Sequence, residues 1–477
     1  MSKTYLSSAL MNGRPIQCLI SGLKTIAAWF HGQPRGHLEA VETLSGSDLD
    51  DVVKRGSEDS VTSSLDPDVG AVKGTLAGRG PVRTPLVPCY LADLLMLDEC
   101  TNLERISTFE PVVVHMPPIT AGRHLLATLE IRENAAHMPW YQDSYTAYSS
   151  GVYMIRDAIL HGSVGITGVA EYAVLESLWH TTPERHRYER DGDSYADRIV
   201  LLEGNIETLA RSHVSLLVGG AESYWHSVVD VTARLALVPD DILRRSGSVL
   251  LPSTGVAQKE LIDLYGLPDG VEARLVDPTE SFRIENLVYP SSIHYVFDYH
   301  PTPLCAFFDR ILSRLGENGL GPSFVYVDRR ASGLRPLMNE DALAQALERL
   351  GFIAVCLEQL SVREQVLLFR SAEVIVAPHG AGLTNIGFSK PGCWIIELMM
   401  DQYLNWCYRR IAAIRSLRYD CLVGRAVRTQ GVSIDSIHGQ PWLINVEDVV
   451  AFVSECMTTV GGQRDPGQDR RLSQAQF

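Results

Sequence analysis

The stretch "VIVAPHGAGLTNIGFSKPGCWIIEL", Val374 to Leu398, places a histidine and two glycines where an apolar run stops at Pro378. Gly380 and Gly382 let backbone approach a ligand closely, and a short helix opening at about Leu383 presents free N–H groups. A helix start preceded by glycines is an anion site by geometry. His379 can add a donor whose charge is tunable near neutral pH. Arg329, which ends the run "SFVYVDR", offers a fork suited to phosphate oxygens. Together these residues suggest a diphosphate pocket. The plain alternative is that H-G-A-G is only a tight strand-to-helix turn.

Gly380 to Asn385 also resembles G-x-G-x-x-G with asparagine in the third position, and Glu397 follows roughly where a ribose-binding acid belongs. That pattern would make the chain a nicotinamide-dependent oxidoreductase. Two features weigh against it. The helix before Pro391-Gly392 is only about two turns long, shorter than the usual dinucleotide crossover. The motif also falls among the last strands of its domain rather than at the first. A single nucleotide attached to another group fits better.

A second constellation lies in "GGAESYWHSVVD". His226 stands in the first turn of a helix after a glycine-rich strand end, and Asp230 follows four residues later on the same face. Asp230 can therefore orient or tune the imidazole, although a packing histidine fits the spacing equally well. Other templates are missing: there is no G-x-S-x-G, no G-x-x-x-x-G-K-[ST] and no H-E-x-x-H. The pairs Asp66/Asp68 and Asp191/Asp193 occur in polar segments and read as solvated loops, so no metal site is expected.

The elements that must position these groups alternate. From about Val214, "VSLLVGG", "GSVLLP" and "RIENLVYP" read as strands separated by the helical "SYWHSVVDVTARLAL" and "VAQKELIDLYG". A second set after His300 repeats the pattern: the strands "SFVYVDRR", "FIAVCLE", "EVIVAP" and "WIIELM" alternate with helical segments. Strand–helix alternation implies parallel sheets, hence an α/β fold with two such units. Ligands of open parallel sheets bind beyond the carboxyl ends of the strands, so His379, Arg329, Arg330 and Glu397 should line one edge. Ahead of these units, "GVYMIRDAILHGSVGITGVAEYAVLES" suggests short antiparallel strands.

The 477-residue chain is 45% hydrophobic and carries a net charge of −15, which argues against nucleic acid as a partner. Nine scattered cysteines without a C-x-x-C pair read as reduced thiols in a cytoplasmic chain. The start lacks the pattern of a signal peptide, and no apolar stretch is long enough to span a bilayer. Residues 16–30 form an amphipathic helical pattern suited to core packing or to a membrane surface. Residues 41–80 are acidic and Ser/Gly-rich, as in a loose linker, and 461–477 read as a disordered tail.

In order along the chain, "YVDRR", "RPLMNEDAL", the run from "GFIAVCLEQL" through "HGAGLTNIGF", and "GCWIIEL" resemble the signature of the family 61 glycosyltransferases, especially bacterial members. "SYWHSVVD" resembles that family's tyrosine–aromatic–histidine helix, with Tyr224, Trp225 and Ser227 as approximate matches. The resemblance implies a GT-B-like fold: an N-terminal extension (1–100), an acceptor-side domain (101–295) and a nucleotide-sugar domain (296–460) facing across a cleft. It implies an inverting, metal-independent transfer from a nucleotide-sugar, foremost a UDP-sugar, to a glycan acceptor, with no other cofactor. The expected setting is bacterial capsule or surface-polysaccharide assembly in the cytoplasm, with peripheral contact to the inner membrane left open. Carried over by position, Arg329, Arg335, Asn339, Glu340, His379, Gly380, Ala381, Gly382, Asn385 and Glu397 would bind the nucleotide-sugar, Glu397 at the ribose. His226, or Asp230 acting with it, would be the general base. Asp328 departs from the serine usual before that arginine, and a carboxylate there must turn away or pair with Arg330. A catalytically degenerate scaffold is the non-enzymatic alternative.

Overall fold

The computed structural model describes residues 83–461, apart from 90, 98–99, 120–141, 163, 179–187, 192–197, 203–205, 317–320, 331 and 428–439. The amphipathic pattern at 16–30, the linker at 41–80 and the tail from 462 lie outside the described residues. All described residues belong to one compact unit, Pro81–Gln430 with Ile437–Phe477.

Two sheets organise this unit. In the first, four strands run parallel in the spatial order Glu272–Val276, Ser246–Pro252, Ile206–Ser215, Ser281–Pro290. Numbered along the chain, that order is 3-2-1-4. The long strand Ser150–His161 then adds antiparallel to Ser281–Pro290 and continues the sheet into hairpin-like strands, as the alternation at 151–177 suggests. Val214, Val249, Leu250, Ile284, Leu287 and Val288 are each completely buried. Burying one such side chain stabilises the fold by roughly 1.5–3 kcal/mol, so these apolar runs fix the register.

The second sheet orders its parallel strands Ile353–Cys356, Phe324–Asp328, Val374–Pro378, Trp394–Met400 and Arg418–Ala426, with the short Trp442–Leu443 antiparallel at its edge. The parallel order along the chain is 2-1-3-4-5. Its central strands are buried end to end, as expected of parallel strands covered on both faces. The crossover helix Val362–Ser371 starts at a capping box in which Ser361 accepts from the Glu364 N–H and the Glu364 carboxylate accepts from the Ser361 N–H.

Helix Pro301–Leu315 joins the two sheets. Leu304, Phe307, Phe308 and Ile311 recur at helical spacing and are fully buried. Phe307 stacks on Tyr265 from the first half, while Phe308 meets Phe388 edge-on from the second. Gly387 exists for this contact, because a Cβ there would fall 2.1 Å from the Phe308 ring. The domain boundary expected between 295 and 296 runs through the turn of a short hairpin, His294–Tyr295 with Asp298–Tyr299.

The segment expected as one helix around His226 is not uniform. Tyr224–His226 is α-helical, Ser227–Val231 widens into a π turn, and Thr232–Leu237 tightens to 3-10 geometry. The Thr232 hydroxyl donates to the carbonyls of Ser227 and Val228 and so competes with the α pattern. Single-turn π bulges of this kind are frequent at functional sites.

Candidate functional site

Strand order places two topological switch points in this unit. In a doubly wound sheet the crossovers leave to opposite sides where the strand order reverses, and a crevice opens beyond the carboxyl ends there. In the second sheet the reversal lies between Phe324–Asp328 and Val374–Pro378. Arg329 and His379 are the next residues after these strands. In the first sheet it lies between Ile206–Ser215 and Ser281–Pro290, and the loops beyond them carry His226 and His294.

On the second sheet, Arg329, Arg335, His379, Leu398, Met400, Tyr403 and Trp442 line one pocket. Arg329 donates to the His379 carbonyl and to the Ser332 hydroxyl at 2.9 Å. Gly380 makes room for this arginine, since a Cβ there would lie 2.7 Å from the guanidinium carbon. Arg335 has φ 48°, a left-handed conformation unusual for a residue with a side chain. Its guanidinium lies over the Tyr403 ring at 4.4 Å, and its carbonyl accepts from Trp442 Nε1 at 2.9 Å. The turn after Gly380 is a 3-10 helix, Ala381–Phe388, opening two residues earlier than the sequence suggests. The pocket therefore gathers two cations and one imidazole, and the 381–388 helix starts two residues after His379 in the chain.

His379 Nδ1 lies 2.5 Å from Glu397 Oε1, and the other Glu397 oxygen accepts from Tyr419 Oη at 2.5 Å. Glu397 has no solvent exposure. It orients His379 rather than facing a ribose, because both carboxylate oxygens are engaged inside the core. Burial lowers the His379 pKa, and Arg335 and Arg329 add to this against the opposing pull of Glu397. In the neutral ring Nδ1–H donates to Glu397, so Nε2 carries a lone pair. The sequence reading gave His379 the role of donor, but in this state Nε2 is an acceptor.

Asn339 and Glu340 also have structural partners. Asn339 exchanges hydrogen bonds with the backbone of Ile444. Glu340 is buried and accepts from Tyr326 Oη at 2.8 Å and from the Arg329 N–H at 2.7 Å. The pair holds the Arg329 backbone and the C-terminal segment in place. Asp328 pairs with Arg330, whose hydrogen bonds hold its carboxyl below the usual range, and Arg330 also reaches Asp341. The unfavourable carboxylate is thereby removed from the Arg329 side.

On the first sheet, His226 Nδ1 lies 2.5 Å from Asp230 Oδ2, and His294 Nε2 lies 2.6 Å from Asp230 Oδ1. Burial alone would push the Asp230 carboxyl up. The electrostatic pull of His294 and hydrogen bonds from both imidazoles outweigh it and hold the carboxyl well below its ordinary value. Trp225 stands edge-on to both imidazoles and donates to Tyr299 Oη at 3.0 Å. His226 is thus a partly exposed imidazole on a buried carboxylate, the arrangement that makes a general base.

The two halves touch through Asn385, which is completely buried. Its side chain accepts from Tyr224 Oη and donates to Gln365 Oε1 at 2.8 Å. Asn385 therefore joins the His226 helix to the His379 loop. His294, Tyr403, Trp442 and Tyr419 were missed in the sequence. Only His294 had a usable signal, as a histidine just beyond the carboxyl end of the strand "RIENLVYP".

Among the described residues there is no group of three or more His, Cys, Asp or Glu side chains placed to hold a metal ion. Nor is any described helix long and apolar enough to cross a membrane.

Comparison with known proteins bears on this segment. Over 153 residues the chain is 29% identical to an EGF domain-specific O-linked N-acetylglucosamine transferase of Drosophila melanogaster, a match covering 28% of this chain and 29% of that protein. Over 113 residues it is 33% identical to the Beta-1,2-xylosyltransferase XAX1 of Oryza sativa subsp. japonica, covering 22% of this chain and 20% of the relative. The chain thus spans less than a third of the length of the curated relatives it matches. The sequence model of the Glycosyltransferase 61 family matches residues 224–396, beginning at Tyr224, taking in His226, His294, Arg329 and His379, and stopping one residue before Glu397.

Proposed function

We propose that this protein is a glycosyltransferase that moves a sugar from a nucleotide-sugar to a hydroxyl of a glycan acceptor, with inversion at the anomeric carbon. The observation that carries this reading is the pairing of two unlike crevices within the segment matched by the family. One is cationic, with Arg329, Arg335 and the start of the 381–388 helix. The other holds an imidazole backed by a buried carboxylate.

The leaving nucleoside diphosphate sits in the first crevice. Its charge, growing as the glycosidic bond breaks, is met by preorganised arginine donors and helix N–H groups, an arrangement that stabilises the transition state without reorganisation. The aromatic and apolar wall of Tyr403, Trp442, Leu398 and Met400 suits the planar base of the nucleotide. In the second crevice His226 Nε2 takes the acceptor's proton, and Asp230 stabilises the imidazolium that forms. Attack comes from the side opposite the diphosphate, so the anomeric configuration inverts. Because arginines and helix dipole meet the departing charge, turnover needs no divalent metal. With the donor on the second sheet and the acceptor on the first, we read the fold as GT-B-like.

The relatives support N-acetylglucosamine and xylose as the first donors to try, as UDP-sugars. A place in bacterial surface-polysaccharide assembly rests on the sequence resemblance alone. A thermal-shift panel of nucleoside diphosphates and nucleotide-sugars tests the reading, since a ligand at a hundred times its Kd stabilises by about 2.7 kcal/mol. Selective stabilisation by one nucleotide class is expected; equal indifference to all of them contradicts it.

A further inference from the structure

His294 has no role in the reading above, yet the fold goes to some length to place it. It lies in the hairpin His294–Tyr295 with Asp298–Tyr299, whose connecting residues Val296 and Phe297 have φ values of 48° and 68°. Two left-handed residues in a two-residue hairpin loop are ordinarily Asn-Gly, and a β-branched valine there is strained. The Phe297 ring packs on Trp225 at 5.4 Å, and the Phe297 N–H points to His294 Nδ1 at 3.4 Å. His294 is therefore held at both ring nitrogens: Nδ1 accepts from the backbone and Nε2–H donates to Asp230.

We infer that His294 is a positioning residue for the proposed general base: its Nε2–H occupies one oxygen of Asp230 and fixes the carboxylate against His226. This rests on the reading of His226 as the base. A carboxylate hydrogen-bonded at both oxygens is held in one orientation, so the ring it pairs with keeps a fixed aim. Arg234 adds a further hold on the residue, donating to the Asp230 carbonyl at 3.2 Å.

The test uses the full chain with a nucleotide-sugar donor. His294→Phe and His294→Ala both remove the hydrogen-bond donor to Asp230. In either folded variant kcat should fall about tenfold or more, while nucleoside diphosphate affinity by calorimetry stays unchanged. His294→Gln keeps an N–H donor and should restore kcat. An unchanged kcat in the donor-free variants overturns the inference, as does an equal loss in His294→Gln, which would make the ring's role one of packing. Normal kcat in His226→Ala removes the base reading itself, whereas a loss in His226→Ala without one in His294→Ala overturns only the role of His294.

Discussion

Tyr224 and Asn385 are 161 positions apart, and the Tyr224 phenol donates to the Asn385 side-chain carbonyl at 2.6 Å. Tyr224 opens the helix that carries His226, and Asn385 lies in the helix that follows His379 and Gly380. One hydrogen bond thus indexes the proposed base against the proposed diphosphate site. Removing the phenol in Tyr224→Phe leaves a buried acceptor without its donor, at a cost of about 1–3 kcal/mol in stability. Because the bond sets relative placement, kcat should fall more than donor affinity does. Calorimetric affinity and steady-state kinetics on the same preparation check this, and a loss confined to affinity would contradict it.

Arg329 is one of the two arginines that line the pocket. Arg329→Ala should cost roughly 2–4 kcal/mol of transition-state stabilisation, by analogy with the loss of one preorganised donor. Its side chain also ties to the His379 carbonyl and Ser332, so Tm must be measured beside kcat/KM. Near-normal turnover in a folded variant removes Arg329 from the reaction.

His379 should take up a proton when the diphosphate binds. Burial and the two arginines hold its pKa down in the free chain, and an arriving anion raises it. A group whose pKa rises in the complex favours binding below that pKa, and the gain is lost as pH rises through it. Nucleoside diphosphate affinity should therefore weaken as pH rises through the raised pKa of the complex. Calorimetry in two buffers of different ionisation enthalpy should show uptake that vanishes in His379→Gln. A flat pH dependence with no proton uptake rules out this role.

His226→Ala should lower kcat by about 10²–10⁴-fold with nucleoside diphosphate affinity nearly unchanged. His226→Gln should fail similarly, since an amide takes no proton near neutral pH. Asp230→Asn should lose less if Asp230 only orients and stabilises the ring, and as much if it is itself the base. Normal kcat in all three folded variants would place the base elsewhere.

Activity should persist in excess EDTA, because arginines and helix dipole stabilise the leaving group. Loss on chelation that magnesium or manganese restores would mean that a metal carries that charge instead.

Local pattern made much of this legible. Apolar runs ending at Asp328, Pro378 and Met400 mark parallel strands, and the residues just beyond two of these ends, Arg329 and His379, share a pocket. What was illegible depends on contacts distant in sequence. Glu397 looks like a strand-end ligand, yet Tyr419 on the neighbouring strand closes its second oxygen. Asn339 and Glu340 look like a binding pair, yet Ile444 and the Arg329 backbone occupy them. Arg409 and Arg410 lie on the helix Cys407–Ile414, but both are buried, donating to Pro117 and Gln142 carbonyls and to Asp298. The Val296-Phe297 turn breaks the sequence preference for its geometry, so no turn signal announces the hairpin that delivers His294.

Inverting transfer from a nucleotide-sugar is read from the anomeric configuration of the first-formed product. Water can stand in for the unknown acceptor. The chain is incubated with α-linked UDP-N-acetylglucosamine or UDP-xylose, and the anomeric proton of the released sugar is followed by NMR before mutarotation. The β anomer is expected first, with release strongly reduced in His226→Ala and Arg329→Ala. First release of the α anomer, or release undiminished in both variants, would contradict it.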